Sequence, residues 1–237
     1  NTTGDQNLAI GATSLQANTT GRNNISIGHG ALVANTTANQ NVAIGSAALD
    51  ANTTGAQNVG VGYGALSGNT TASYSVAVGD LALLANTTGA SNTAVGKDAL
   101  YANTTASYNT AVGKSALEAN TTGTRNVAVG AMALDANTTA NDNTAVGYNA
   151  ATAITTGVSN TAIGASSLLT LTTGSRNTSL GYNALTLQTD ASDNVGIGNY
   201  AGGAITTGAY NTMVGSLSGD GLTTGGNNTG VGYRALS

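Results

Sequence analysis

The chain has 237 residues, with no Cys, Pro, Trp or Phe, 34 Gly, and a net charge of −4 from ten acidic and six basic residues. This excludes disulfides and thiolate metal sites, and without a basic stripe it argues against nucleic acid as a partner. Low charge combined with abundant Thr and Val marks an ordered, β-rich chain rather than a disordered one.

Cut every 17 residues from Asn1, the chain falls into 14 copies without insertion or deletion, the last (Leu222 to Ser237) one residue short. A short fixed period without slippage predicts a solenoid in which each copy is one coil. With the places numbered 1 to 17, the phrase reads N-T-T-G/A-x-x-N-V/T-A-V/I-G-x-x-A-L-x-A. Along each copy, Thr comes first, at place 2 in all 14 copies and at place 3 in 13, Asp190 being the exception. Adjacent residues on a strand face opposite ways, so one Thr file is expected to turn its methyl inward and the other to face out. Place 7 is Asn in 13 copies, with Ser75 the exception, and predicts a stacked amide ladder at the turn entering the next strand.

Places 8 to 10 alternate V/T, small, V/I, the period-2 pattern of a half-buried strand. Place 10 is aliphatic throughout, from Ile10 to Val231, and is expected in the interior. Place 9 is Ala, Ser or Gly except at Met213, so the opposite face has little room, which suggests contact between chains. Place 11 is Gly in every copy and predicts a sharp corner; the alternative is that Gly leaves room for a neighbouring backbone. Place 14 is Ala or Ser and place 15 is Leu in 11 copies. The variable places 5, 6, 12, 13 and 16 hold most of the charge and all nine Tyr and are expected on outward loops.

Seventeen residues at about 3.3 Å each give a perimeter of roughly 56 Å, a narrow loop with a thin core. Thin cores need staples or association, and with disulfides absent the expectation is chains packed side by side. Place 1 is Asn from Asn1 through Asn137, then Ile154, Leu171, Gln188, Ile205 and Leu222, while place 15 loses Leu at Ala151, Gly202 and Gly219. The chain is therefore read as one solenoid domain, 1–237, with regular coils over 1–153 and variant coils over 154–237. The variant coils are either drift with core repacking or a change of packing partner. No apolar run approaches the roughly 18 residues of a membrane span, and no signal peptide is visible. The chain begins and ends inside a repeat, so caps are expected outside it, or chain ends abut.

The strings Asn143-Thr144-Ala145-Val146-Gly147-Tyr148 and Asn177-Thr178-Ser179-Leu180-Gly181-Tyr182, with Asn41-Val42-Ala43-Ile44-Gly45 and Ser75-Val76-Ala77-Val78-Gly79, carry a resemblance over the whole chain. They resemble the head repeat of trimeric autotransporter adhesins, and the 17-residue phrase of phage-tail-fibre-like and bacterial surface fibre proteins. The resemblance implies an all-β parallel β-solenoid, left-handed, assembled as a parallel homotrimer and used for attachment. The adhesin heads use shorter coils, and neither a chaperone domain nor a membrane anchor is visible.

No catalytic, cofactor-binding or metal-binding residue is assigned. His29, the only His, sits at a variable place; Asp50, Glu118, Asp135 and Asp220 share place 16 but form no evident pair. Gly60-Val61-Gly62-Tyr63-Gly64 lacks the Lys-Ser/Thr of a phosphate loop. The Asn-Thr-Thr phrase is an N-glycosylation sequon nine times over, with further matches at Asn24, Asn177 and Asn227. A structural fibre or adhesin shaft, on a cell surface or virion, is the leading reading. Its partners would be itself, as a homotrimer or end-to-end filament, and a surface receptor or glycan, with no membrane insertion in this segment. The alternative is an ice- or polysaccharide-surface binder using an outward Thr ladder.

Overall fold

The computed structural model describes residues 2–237. The chain is an all-β parallel β-solenoid of 14 strands spaced 17 residues apart. It divides into two compact units, 1–122 and 123–237. The first holds β1 (Leu8–Ile10), β2 (Ile25–Ile27), β3 (Val42–Ile44), β4 (Val59–Val61), β5 (Val76–Val78), β6 (Thr93–Val95) and β7 (Thr110–Val112). The second holds β8 (Val127–Val129), β9 (Thr144–Val146), β10 (Thr161–Ile163), β11 (Thr178–Leu180), β12 (Val195–Ile197), β13 (Thr212–Val214) and β14 (Thr229–Val231). Every strand occupies places 8 to 10, as the alternation predicts.

Within each unit the strands pair in sequence order, parallel, like place on like place: Val59 with Val76 and Gly60 with Ala77 in the first, Thr161 with Thr178 and Ala162 with Ser179 in the second. Main-chain bonding between coils continues well beyond the strands. Leu32 N–H donates to Ala48 O at 3.0 Å, Ala34 N–H to Asp50 O at 3.1 Å and Thr53 N–H to Thr70 O at 2.9 Å, each one coil onward. Gly62 N–H donates to Ile44 O at 2.8 Å and Gln57 N–H to Asn39 O at 3.1 Å, each one coil back. Bonding in both directions at so many places lets a three-residue strand hold a 17-residue coil.

The turns need left-handed backbone at four places per coil. Place 11 has φ between 123° and 141°, and a Cβ there would also strike the next coil: at Gly45 it would lie 2.3 Å from Gly62 O. The sharp corner and the close approach are thus one constraint, and each alone demands Gly. Places 6, 13 and 15 are left-handed as well, mostly without Gly, as at Gln57 (φ 59°), Asp98 (φ 57°) and Leu66 (φ 55°). A β-branched side chain is disfavoured in that region. Place 15 accordingly carries Leu, Ala or Gly and never Val or Ile.

The interior differs from the expectation in two respects. Place 10 faces outward, and place 9 faces in. Ala43, Ala77, Ala94, Ala111, Ala128, Ala145, Ala162 and Met213 are fully buried, whereas Ile44, Val78 and Ile163 are exposed. The reason is volume. Leu at place 15 projects across a narrow coil toward the strand, and only a small residue fits opposite. A Cβ built on Gly60 already lies 3.4 Å from Leu49 Cδ1, and one on Gly196 lies 2.7 Å from Leu185 Cγ. The core is therefore a Leu file at place 15, Ala at places 14 and 9, and polar columns beside them. The Thr expectation also changes. Places 2 and 3 form bends, not a strand, and no place-2 or place-3 Thr is buried. Place 2 turns its hydroxyl to the next coil, as Thr53 Oγ1 does to Thr70 O at 3.0 Å. Place 3 is the more open file, with Thr54, Thr71 and Thr88 exposed.

Candidate assembly face

The interior amides fix which way the strand faces. In the first unit, place-1 Asn side chains form an unbroken ladder from Asn18 to Asn120: Asn69 Nδ2 donates to Asn52 Oδ1 at 2.8 Å, Asn86 to Asn69 at 3.0 Å and Asn103 to Asn86 at 2.8 Å. The second hydrogen of each Nδ2 goes to a place-4 carbonyl, such as Ala72 O from Asn69 at 3.0 Å. Place-7 Asn reaches the same carbonyl from the other side, Asn58 Nδ2 donating to Ala72 O at 2.8 Å. Its oxygen accepts the main-chain N–H of the next place 7, as Asn41 Oδ1 does from Asn58 N at 2.9 Å. The ladder expected at place 7 is thus present: it joins side chain to backbone and adds side-chain links in some coils, as from Asn24 to Asn7 and from Asn177 to Asn160. The unbroken side-chain-to-side-chain ladder of the first unit lies at place 1. Two buried amide columns sharing one carbonyl file hold place 8 at a fixed angle, and strand alternation then sends places 8 and 10 outward together.

Place 10 puts an aliphatic side chain on that outward face in every coil. In the first unit Leu8, Ile10, Ile25, Ile44, Val78 and Val95 stand exposed, and in the second Ile163, Leu180 and Val231, at 36–70% of their full accessible surface. Six inter-strand spacings of about 4.8 Å make the face roughly 30 Å long in each unit. A contiguous apolar strip of this kind is uncommon on a chain that stays alone in water. Place 8 changes character along the chain: it is Leu, Ile or Val in the first five coils, and Thr at seven of the remaining nine, from Thr93 to Thr229. Sequence reading found these residues but assigned place 10 to the wrong side. The readable signal was that place 9 never exceeds Ser in size except at Met213, where place 15 has lost its Leu at Gly202 and Gly219.

Polar chemistry outside the core consists of pairs between successive coils. Arg125 Nε and Nη2 grip Asp142 at 2.7 and 2.9 Å, and Arg176 grips Asp193 at 2.7 and 2.8 Å. The hydrogen bonds from each guanidinium hold its partner's carboxyl below the usual range and raise the Arg in return. The residues weighed as possible sites are dispersed. His29 is exposed, Asp50 accepts from Ser67 Oγ at 2.7 Å, Asp135 accepts from Thr152 Oγ1, Asp220 lies 3.9 Å from Arg234, and Glu118 is half-buried. Gly60 lies in β4, and Gly62 is a place-11 corner. Among the described residues no group of three or more His, Cys, Asp or Glu could hold a metal ion, and no helix is long and apolar enough to cross a membrane.

The Tyr side chains stay scattered, apart from Tyr182 and Tyr200, which meet edge to face at 5.6 Å. Beside Tyr200 the second unit has a cavity of about 340 Å³ walled by Leu187, Leu217 and Asp220, at coils where Gly202, Gly203 and Gly219 stand in place of larger residues.

The fold class is that of a parallel β-solenoid. No family model, curated protein or solved structure matches the chain.

Proposed function

We propose that the chain is a structural fibre or adhesin shaft that works as an assembly of copies of itself, packed side by side through the outward face of places 8 and 10. The observation that carries this reading is the exposed apolar strip, repeated coil after coil in a chain with few charges. Covering a half-exposed Val or Ile contributes on the order of 0.5–1 kcal/mol, and the period multiplies that gain along the stack. A parallel homotrimer is the assembly proposed, because it gives each copy two neighbours in the same register. Outside a cell or on a virion, the scattered polar corners would meet receptor or glycan while the apolar strip stays between chains. No catalytic role is proposed. Light scattering in native buffer tests the reading: a mass of three chains is expected, and a monodisperse single chain would remove it.

A second reading has one observation in its favour, the exposed Thr file at place 3. It would serve a surface-binding solenoid acting on ice or a crystalline polysaccharide. Against it, that file lies on bends, and the neighbouring place-2 hydroxyls donate to carbonyls. Absence of thermal hysteresis, together with no retention on crystalline cellulose, would dismiss it.

A further inference from the structure

The sequence carries 12 sequons: the nine Asn-Thr-Thr phrases, Asn24, Asn177 and Asn227. The fold separates them sharply. Asn1 lies outside the described residues. Asn18, Asn35, Asn52, Asn69, Asn86, Asn103, Asn120 and Asn137 are at most 1% exposed, and so are Asn24 and Asn177. The atom that would carry a sugar, Nδ2, is engaged in these columns. Asn69 spends both hydrogens on Asn52 Oδ1 at 2.8 Å and Ala72 O at 3.0 Å. Asn24 spends them on Asn7 Oδ1 at 3.1 Å and Ala38 O at 2.9 Å, and Asn177 on Asn160 Oδ1 at 3.1 Å and Ala191 O at 2.9 Å. An N-glycosidic bond at any of them removes one of those donors and forces a sugar into a space one coil high.

Asn227 is built differently. It occupies place 6, a corner exposed in nearly every coil, with its own φ at 61°. Its main-chain N–H donates to Ala209 O at 3.0 Å, and the residue itself is exposed. Thr229, the hydroxyl member of the sequon, is exposed on the single chain; it stands at place 8 of the last coil, on the face that the proposed assembly covers, so the modification belongs to the folded chain before it assembles.

We propose that Asn227 is the single N-glycan acceptor of the folded chain among the described residues, and that the Asn-Thr-Thr array is closed to this modification once the coils have stacked. In the step, Asn227 Nδ2 attacks the anomeric carbon of a nucleotide-activated sugar. The bond from that carbon to the diphosphate oxygen breaks, the nucleoside diphosphate leaves, and Nδ2 loses one proton. Folding must precede exposure to such an enzyme, because a place-1 Asn modified on the nascent chain can no longer enter its ladder.

The test is to incubate the folded Val78→Lys/Val95→Lys chain, whose charged outward face keeps place 8 uncovered, with a soluble asparagine-directed glycosyltransferase and UDP-glucose, in parallel with the same chain unfolded in urea and diluted immediately before addition, and to map hexose by peptide mass spectrometry. Among the described residues, one hexose, at Asn227, is expected on the folded chain, and several on the unfolded one. Asn227→Gln and Thr229→Val should each abolish the folded-state product; the latter restores a residue common at place 8 and so should fold. Hexose on any place-1 Asn from Asn18 onward in the folded chain, or an unmodified Asn227 under conditions that modify the unfolded chain, overturns the proposal.

Discussion

The two units use one coil plan with different interiors. In 1–122, every described place-1 residue is Asn and every place-15 residue is Leu, so a polar ladder and an aliphatic file run side by side. In 123–237, place 1 passes from Asn137 to Ile154, Leu171, Gln188, Ile205 and Leu222, and place 15 falls to Ala151, Gly202 and Gly219. A column can be amide or aliphatic, but the change between them leaves loose atoms. Oδ1 of Asn137 is buried below Ile154 and accepts no hydrogen bond, although its Nδ2 still donates to Ala140 O at 3.2 Å. Gln188, placed between Leu171 and Ile205, directs Nε2 to Asn177 Oδ1 and Ala191 O at 2.8 and 2.6 Å and leaves Oε1 without a donor. Lost volume at place 15 is refilled locally: Met213, the one large place-9 residue, lies where a Cβ on Gly219 would come within 2.6 Å of its sulfur.

The largest expected effect ignores the difference between units. Gly45→Ala in the first and Gly181→Ala in the second each put a Cβ within 2.4 Å of the next coil's carbonyl oxygen at strongly positive φ. Each should cost about 3–5 kcal/mol or prevent folding, read from urea denaturation midpoints. A cost confined to one unit would show that the corner is not shared.

Breaking the ladders comes next. Asn69→Leu removes the donor to Asn52 and the acceptor of Asn86, and should cost about 2–4 kcal/mol. Ile154→Asn should also destabilise, because it supplies Asn137 with a donor only by moving the orphaned oxygen up against Leu171. If Ile154→Asn stabilised the chain, the aliphatic column of the second unit would not be packing as described.

Met213 and Gly219 should behave as one unit. Met213→Ala alone leaves a cavity worth about 2–4 kcal/mol, and Gly219→Leu alone clashes. Together they restore the common coil, since Leu is accepted at positive φ at place 15 elsewhere, and the double-mutant cycle should show coupling above about 1 kcal/mol. Additive costs would disprove the compensation.

The smallest effect is electrostatic. The folded-state pKa values of Asp142 and Asp193 lie below their unfolded values. Their contribution is therefore present above the unfolded carboxylate pKa and fades as pH falls through the depressed one. Asp142→Asn with Asp193→Asn should lower the denaturation midpoint slightly at pH 7, and the difference should shrink as pH falls below the usual carboxylate range. Both pairs are solvent-exposed, so high salt should mask the effect.

Much of this plan was legible in the sequence. Unbroken columns gave the period, the strand at places 8 to 10 and the Gly corner, because each is a constraint that every coil meets separately. Which side of the strand faced in was misread, since the usual rule puts the larger aliphatic inside, whereas here Leu49 and its equivalents fill the coil and admit only Ala. Two signals for the true interior were present. Place 1 exchanges Asn for Ile and Leu, a swap that makes sense only under burial. Places 6, 13 and 15 almost never hold β-branched residues, Thr13 excepted, which marks left-handed backbone at sites whose side chains otherwise vary. With no catalytic residue assigned, the sequence had little more to say about chemistry, and the outward apolar strip became visible only when places 8 and 10 were found on the outside.

The central claim is that places 8 and 10 face out and are covered by other copies of the chain. Native mass spectrometry of the wild type beside Val78→Lys/Val95→Lys tests it most directly, with circular dichroism confirming that both are folded. The account predicts a three-chain wild type and a folded single-chain variant. A wild type that flies as one chain, or a lysine variant that keeps the three-chain mass, would contradict it.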